Sequence, residues 1–158
     1  MEDEVAARSA SLLDDLRNFG ANYTEFTRRF ADWLGLHATD AAALVEILYA
    51  EDTGSPLSPA RLGQRISLTS GATTNLVNRL EGLGYVVRTR ESADRRIVTL
   101  RSGPDIQEPA RQFFGPFSAG LAALVAKYPA EEIERFQAFL RHLRSTMDEV
   151  LTRPHPED

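Results

Sequence analysis

Cysteine is absent from the 158 residues, which excludes a disulfide framework, thiolate zinc ligation, iron–sulfur clusters and a cysteine-based redox switch. Runs of about 18 apolar residues, long enough to cross a membrane, are also missing. The opening MEDEVAARSA is acidic and has no apolar stretch of the kind that marks a secretory signal. A cytoplasmic protein without membrane association is therefore expected. Catalytic signatures are missing too: there is no GxSxG, P-loop, GxGxxG or HExxH. The neighbouring acids Asp14-Asp15 and Glu131-Glu132 point in different directions around a helix and read as solvated charges. His37, His142 and His155 have no metal-ligand spacing, so neither metal nor cofactor is expected, and no enzymatic activity.

Positive charge is scarce overall, with a net charge of -5, and its distribution says more than its total. Between Ser58 and Arg101 there are eight arginines and three acids, a local balance of +5, while the rest of the chain stands at -10. One basic module sits in an acidic protein.

What the chain does have is helical periodicity at both ends. Leu12, Leu16, Phe19, Tyr23, Phe26, Phe30 and Trp33 recur at alternating spacings of about four and three, a heptad-like seam on one long helix. Ile133, Phe136, Leu140, Leu143, Met147 and Val150 repeat the device near the end. Either stripe alone is compatible with an ordinary core; two of them flanking a small module point to a helical dimer interface.

The middle is shorter-grained. Thr39-Asp40 can cap a helix running to about Ala50, and Glu51 to Pro56 breaks it. Ser58-Pro59 starts a short helix with serine as cap and proline at the first helical position; Leu62 and Ile66 face inward. Thr69 or Ser70 caps the next helix, which Gly82 and Gly84 end. At about 100° per residue, Thr73, Leu76, Val77, Leu80 and Leu83 fall on its inner side. Ser70, Gly71, Thr74, Asn75, Asn78 and, more peripherally, Arg79 fall outside. The β-prone runs Tyr85 to Arg90 and Arg96 to Arg101 then form a hairpin whose tip is Glu91-Ser92-Ala93-Asp94-Arg95. Helical patterning resumes after Gly103-Pro104, with Pro109 predicting a late start and Pro116 a kink or break.

Helix, short helix, helix, then an arginine-bearing hairpin is the order of a winged helix-turn-helix. Short polar groups on the outer face of the second motif helix suit base edges and phosphates, and asparagine can pair with adenine through two bonds. Guanidinium groups at a hairpin tip suit a narrow minor groove. The expected fold is mainly α with a small β-hairpin wing. Residues 1–36 would form an N-terminal dimerisation helix and 37–103 the winged lobe. Residues 104–152 would form C-terminal dimerisation helices and 153–158 a tail.

The stretch LSPARLGQRISLTSGATTNLVNRLEGLGYVVRTRESADRRIVTLRSG, residues 57–103, resembles the MarR (multiple antibiotic resistance regulator) winged-helix family. The resemblance lies in Arg79-Leu80-Glu81 followed by Gly84, the arginine-bearing strand, and the wing motif Asp94-Arg95-Arg96. It implies a homodimeric transcriptional regulator, by default a repressor, that binds a pseudo-palindromic duplex. Ser70, Thr74, Asn75 and Asn78 would supply register and base reading, Gly71 would permit close backbone approach, and Arg79, Arg88 and Arg90 would make phosphate contacts. Arg95 and Arg96, supported by Asp94, would enter the minor groove. Small phenolic or aromatic ligands of such regulators would meet Tyr23, Phe26, Phe30, Trp33, His37 and Phe113, all of which also suit a core or dimer interface. The chain departs from the family pattern at Asn75, where many members carry arginine, and at Arg101-Ser102-Gly103-Pro104. A ligand-independent DNA-binding protein, or a winged-helix module whose basic face meets an acidic protein, is the alternative.

Overall fold

The computed structural model describes residues 1–90 and 98–153. The expected wing tip, with Asp94, Arg95 and Arg96, and the tail beyond 153 lie outside the described residues. Helices α1 (Glu2–Leu34), α2 (Ala38–Asp52), α3 (Pro59–Arg65) and α4 (Ser70–Gly82) precede strands β1 (Val86–Thr89) and β2 (Thr99–Ser102). Helices α5 (Pro104–Val125) and α6 (Ala130–Leu151) follow. This is the mainly helical architecture with one small hairpin that the patterning predicts. The chain divides into two compact units, Met1–Phe113 and Phe114–Asp158.

In the first unit α2 is the central element, and its apolar residues explain why: Ala41, Ala43, Leu44, Ile47 and Ala50 are all buried. The last turns of α1 pack on it through Phe30 and Ala31, so the N-terminal helix contributes to the lobe's core as well as carrying a free stripe. Gly35, at φ 66°, closes α1 in the left-handed conformation that glycine adopts without a Cβ penalty. Leu57, Leu62, Leu76, Val77, Leu80, Val86, Leu100 and Ile106 complete the core. Burying each such side chain contributes about 1.5–3 kcal/mol.

Helix α2 starts at Ala38 with His37 at the cap position and no side-chain cap, so Thr39 and Asp40 lie in its first turn and do not cap it. Asp40 has another partner, described below. Ser58 Oγ accepts from the Arg61 N–H at 3.3 Å, and Thr69 Oγ1 accepts from the Ala72 N–H at 3.3 Å, as the cap residues predict. Leu83 is 48% exposed, because it follows the last helical residue and leaves the helical register; Ile66, likewise just past α3, is only half-buried.

The strands pair antiparallel, with Val86 opposite Ser102 and Arg88 opposite Leu100. On its other edge, β2 is tied to the motif: the Leu100 N–H donates to the Leu57 carbonyl at 2.8 Å, and the Ser102 N–H to Glu51 Oε2 at 2.8 Å. The hairpin base is thereby fixed to the loop that launches α3.

Helix α5 corrects the expectation of a late start and a break. It begins at Pro104 and runs without interruption through Pro109 and Pro116. Pro104 loses nothing in the first turn, the buried Ile106 and Ala110 anchor the next, and Gly115 before Pro116 offers no Cβ to clash with the proline ring. In the second unit no described residue of α6 is buried. Its stripe is open, with Phe136 at 56%, Met147 at 56% and Val150 at 53% exposed.

Candidate nucleic-acid interface

Helix α4 is divided lengthwise. Thr73, Leu76, Val77 and Leu80 are buried, while Ser70, Gly71, Thr74, Asn75 and Asn78 are exposed. Two local features set its approach to α3. Ser67, in the turn between them, takes φ 55°, and Gly63 lies so near α4 that a Cβ there would stand 2.6 Å from Thr73 Oγ1. Thr73 donates its hydroxyl to the Thr69 carbonyl at 2.9 Å, and Thr74 donates to the Ser70 carbonyl at 2.9 Å. Thr74 therefore faces outward as an acceptor. Asn75 has no side-chain partner among the described residues, so both ends of its amide are open.

Asn78 and the arginines are engaged. Arg79 donates through Nε to Asp40 Oδ2 at 3.0 Å and through Nη2 to Asp40 Oδ1 at 2.6 Å, a two-pronged pair. Asp40 is 4% exposed. Its hydrogen bonds raise the Arg79 pKa above the ordinary arginine value. Arg88, on β1, donates to Glu81 and, through Nη2, to Asn78 Oδ1 at 3.0 Å. Arg65 pairs with Glu46 at 2.8 Å and Arg101 with Glu51 at 3.5 Å. Among the described arginines of the basic module, only Arg61 and Arg90 have no carboxylate partner.

The outer face expected from the sequence is thus brought together on α4, but the cations expected beside it differ in state. Arg79 and Arg88 are bound to carboxylates, Arg90 is exposed at the end of β1, and Arg95 and Arg96 lie outside the described residues. Sequence reasoning missed Asp40 and Glu81 as partners. Glu81 lies seven residues before Arg88, across a tight turn, and could have been paired with it; Asp40 lies 39 residues before Arg79 and gives no local signal. A groove of about 820 Å³ borders the amino end of α4, lined by Ser58, Pro59, Gly63, Ser67, Thr73 and Val98 among others.

The residues expected around a ligand separate. The Phe113 ring lies 4.8 Å from Phe26, 5.0 Å from Phe30 and 5.7 Å from Trp33, centre to centre. Phe30 is fully buried, so it supports this cluster and offers no surface. Tyr23 stacks instead on Phe19 at 6.4 Å. Partial burial and the neighbouring Glu46 and Tyr49 raise its pKa. His37 stands exposed at the start of α2. No cluster of three metal-ligating side chains occurs among the described residues, and none of their helices is long and apolar enough to cross a membrane.

Comparison with known proteins agrees with this architecture. A model described as MarR family matches residues 34–97. The HTH-type transcriptional regulator YcgE of Bacillus subtilis is 31% identical over 137 residues, covering 87% of this chain and 86% of that one. A MarR family protein from Bacillus stearothermophilus superimposes with a TM-score of 0.58 at 26% identity, covering 88% of this chain and 94% of that one. A MepR variant from S. aureus, bound to an oligodeoxyribonucleotide, shares the fold at a TM-score of 0.51 and 18% identity, covering 84% and 94%. With its divided α4, its hairpin tied to the motif and these relatives, the chain belongs to the MarR family of winged helix-turn-helix transcriptional regulators, DNA-binding proteins and not enzymes.

Proposed function

We propose that this chain acts as a cytoplasmic homodimeric repressor that reads a pseudo-palindromic duplex, one α4 entering each of two major grooves about 10 bp apart. The observation that carries this reading is the division of α4, whose exposed face holds short polar groups with Arg79 at its edge, opposite a buried face of Thr73, Leu76, Val77 and Leu80. The MepR variant bound to an oligodeoxyribonucleotide supports it by sharing the fold. Ser70, Thr74, Asn75 and Asn78 meet base edges and set register, and Gly71 lets the backbone come close to phosphate. Arg61 and Arg90 make the phosphate contacts; Arg79 and Arg88 act through the residues they hold. Arg95 and Arg96, with Asp94, enter the flanking minor groove. The partner copy covers the apolar stripes of α1 and α6. A small aromatic ligand relieves repression by stacking at Phe26, Trp33 and Phe113.

The test is an electrophoretic shift with the promoter DNA beside the chain's own gene, together with sedimentation equilibrium. A shift on a palindromic segment at moderate salt, by a species of twice the chain mass, is expected. Binding to every duplex alike would refute sequence reading and favour an acidic protein partner for the basic face. A monomer that still shifts the palindrome would refute the dimer.

A further inference from the structure

We infer that Asn78 reads DNA chiefly as a hydrogen-bond donor and so favours guanine over adenine, because the Arg88 guanidinium already holds one lone pair of its amide oxygen. The inference rests on the proposed entry of α4 into the major groove. Arginine has donors and no acceptor, so the Asn78 group that faces Arg88 Nη2 at 3.0 Å must be the carbonyl Oδ1. The guanidinium cannot easily swing away: its other terminal nitrogen is held by Glu81, and the Arg88 and Glu81 side chains are only 32% and 29% exposed. Charge-assisted bonds of this kind are the strong ones. The wholly free end of Asn78 is then its NH₂ group, on the exposed face of α4.

In the major groove adenine offers N7 as acceptor and its 6-amino group as donor, and the two-bond contact with asparagine needs both amide ends. With one lone pair of Oδ1 held by a cation, the adenine amino group must use the other, beside the guanidinium, and the two-bond adenine contact is weakened. Guanine offers N7 and O6, both acceptors, which suit a lone NH₂. Asn75, one turn earlier on the same face with no side-chain partner, remains able to make the two-bond adenine contact. The two asparagines, alike in sequence, thereby differ in what they recognise.

The full chain is used to select binding sites from a random duplex library, and single-base-pair variants of the selected site are then titrated. The base pair read by Asn78 is the one whose discrimination disappears in Asn78→Ala, and it is expected to be G·C. Arg88→Ala frees Oδ1 and is expected to move the adenine-to-guanine affinity ratio at that pair by roughly tenfold toward adenine, the low end for one two-bond contact. Overall affinity falls as well, because Glu81 loses its counter-charge, so the ratio is the readout. Asn78→Asp, at an exposed position that tolerates the change, keeps an acceptor for Arg88 and turns the free end into an acceptor, so preference moves to cytosine. An adenine at that pair in the wild type overturns the inference while leaving DNA reading intact. So does an unchanged ratio in folded Arg88→Ala, or an Asn78→Ala loss that is equal for all sequences. If Arg88→Ala does not fold, the wild-type base and the Asn78→Asp switch decide. Selection of no sequence at all refutes the DNA-reading proposal first, and this inference with it.

Discussion

Replacing Gly63 with alanine sets two effects of known size against each other at the crossing of α3 and α4. Alanine gains about 1 kcal/mol over glycine in a helix interior. The added Cβ, however, would lie 2.6 Å from Thr73 Oγ1 and 3.2 Å from the Leu68 carbonyl oxygen. Overpacking of this kind costs about 1–3 kcal/mol, and the upper half of that range applies because neither neighbour can yield. Thr73 is 2% exposed, β-branched, and commits its hydroxyl to the Thr69 carbonyl at 2.9 Å. The backbone around Leu68 is held by its own N–H donating to the Gly63 carbonyl at 2.9 Å. The expected net loss is about 1–2 kcal/mol, which for a chain of this length lowers Tm by about 3–6 °C. Urea titration measures it, at fixed protein concentration because a dimer's apparent stability depends on concentration. The midpoint should fall with no change in slope. Thr73→Ala should cost less in the Gly63→Ala background than alone, by about 1 kcal/mol, since it removes the clashing oxygen. Gly63→Ala as stable as the wild type, or two strictly additive losses, would show that the α3–α4 crossing is not held by this contact.

Arg90→Ala, which removes one cation from each copy of a dimer, should flatten the slope of log affinity against log salt by about two units, whereas Arg79→Ala should leave that slope unchanged and lower stability, because its charge is spent on Asp40; salt-titrated shifts separate the two. Glu25 is held down at about 2 by hydrogen bonds from Arg28 and Arg29. Its carboxyl should therefore titrate by NMR well below an ordinary glutamate. A depressed folded pKa adds stability above the unfolded value near 4.5 that is lost as pH falls toward 2; the group is exposed, so salt should bring the midpoint back up. Phe113→Ala should cost about 2 kcal/mol as a half-buried aromatic and shift the emission of Trp33, the chain's single tryptophan, which stacks on it at 5.7 Å. An unmoved spectrum would place Trp33 outside the cluster.

Features governed by neighbours within a turn or two were legible in the sequence. The caps Ser58 and Thr69, the inner face Thr73, Leu76, Val77 and Leu80, and the hairpin all follow from such local chemistry. Errors arose where a residue had a distant alternative. Asp40 reads locally as a helix cap, yet its carboxylate is used 39 residues away by Arg79. Pro109 reads locally as a late start and Pro116 as a kink or break, yet α5 begins at Pro104 and continues to Val125, its first turns anchored by buried Ile106 and Ala110. The polar face of α4 was legible residue by residue, since exposure follows from the helical period. The state of those residues was not, because a lone Asn78 looks the same whether or not Arg88 holds its oxygen.

The pairing of the arginines bears on how such a site could discriminate at all. Non-specific affinity for duplex DNA comes from cations that displace counterions, and each adds about 0.9 to the salt slope. Taken at face value, eight arginines in the module would give a dimer a slope near -14, which favours any sequence. Four of them, Arg65, Arg79, Arg88 and Arg101, face Glu46, Asp40, Glu81 and Glu51. Each pair links two elements of the lobe, those of Arg79 and Arg88 on α4 itself, while withdrawing a charge that would otherwise attract phosphate indiscriminately. Leaving those four out of the count takes about 7 off the slope of a dimer. Under the proposed binding mode a larger share of binding then comes from base edges facing Thr74, Asn75 and Asn78. On this reading the acidity of the chain serves recognition: its carboxylates convert arginines from general DNA attractors into fixtures that set the angle of α4 and the donor character of Asn78.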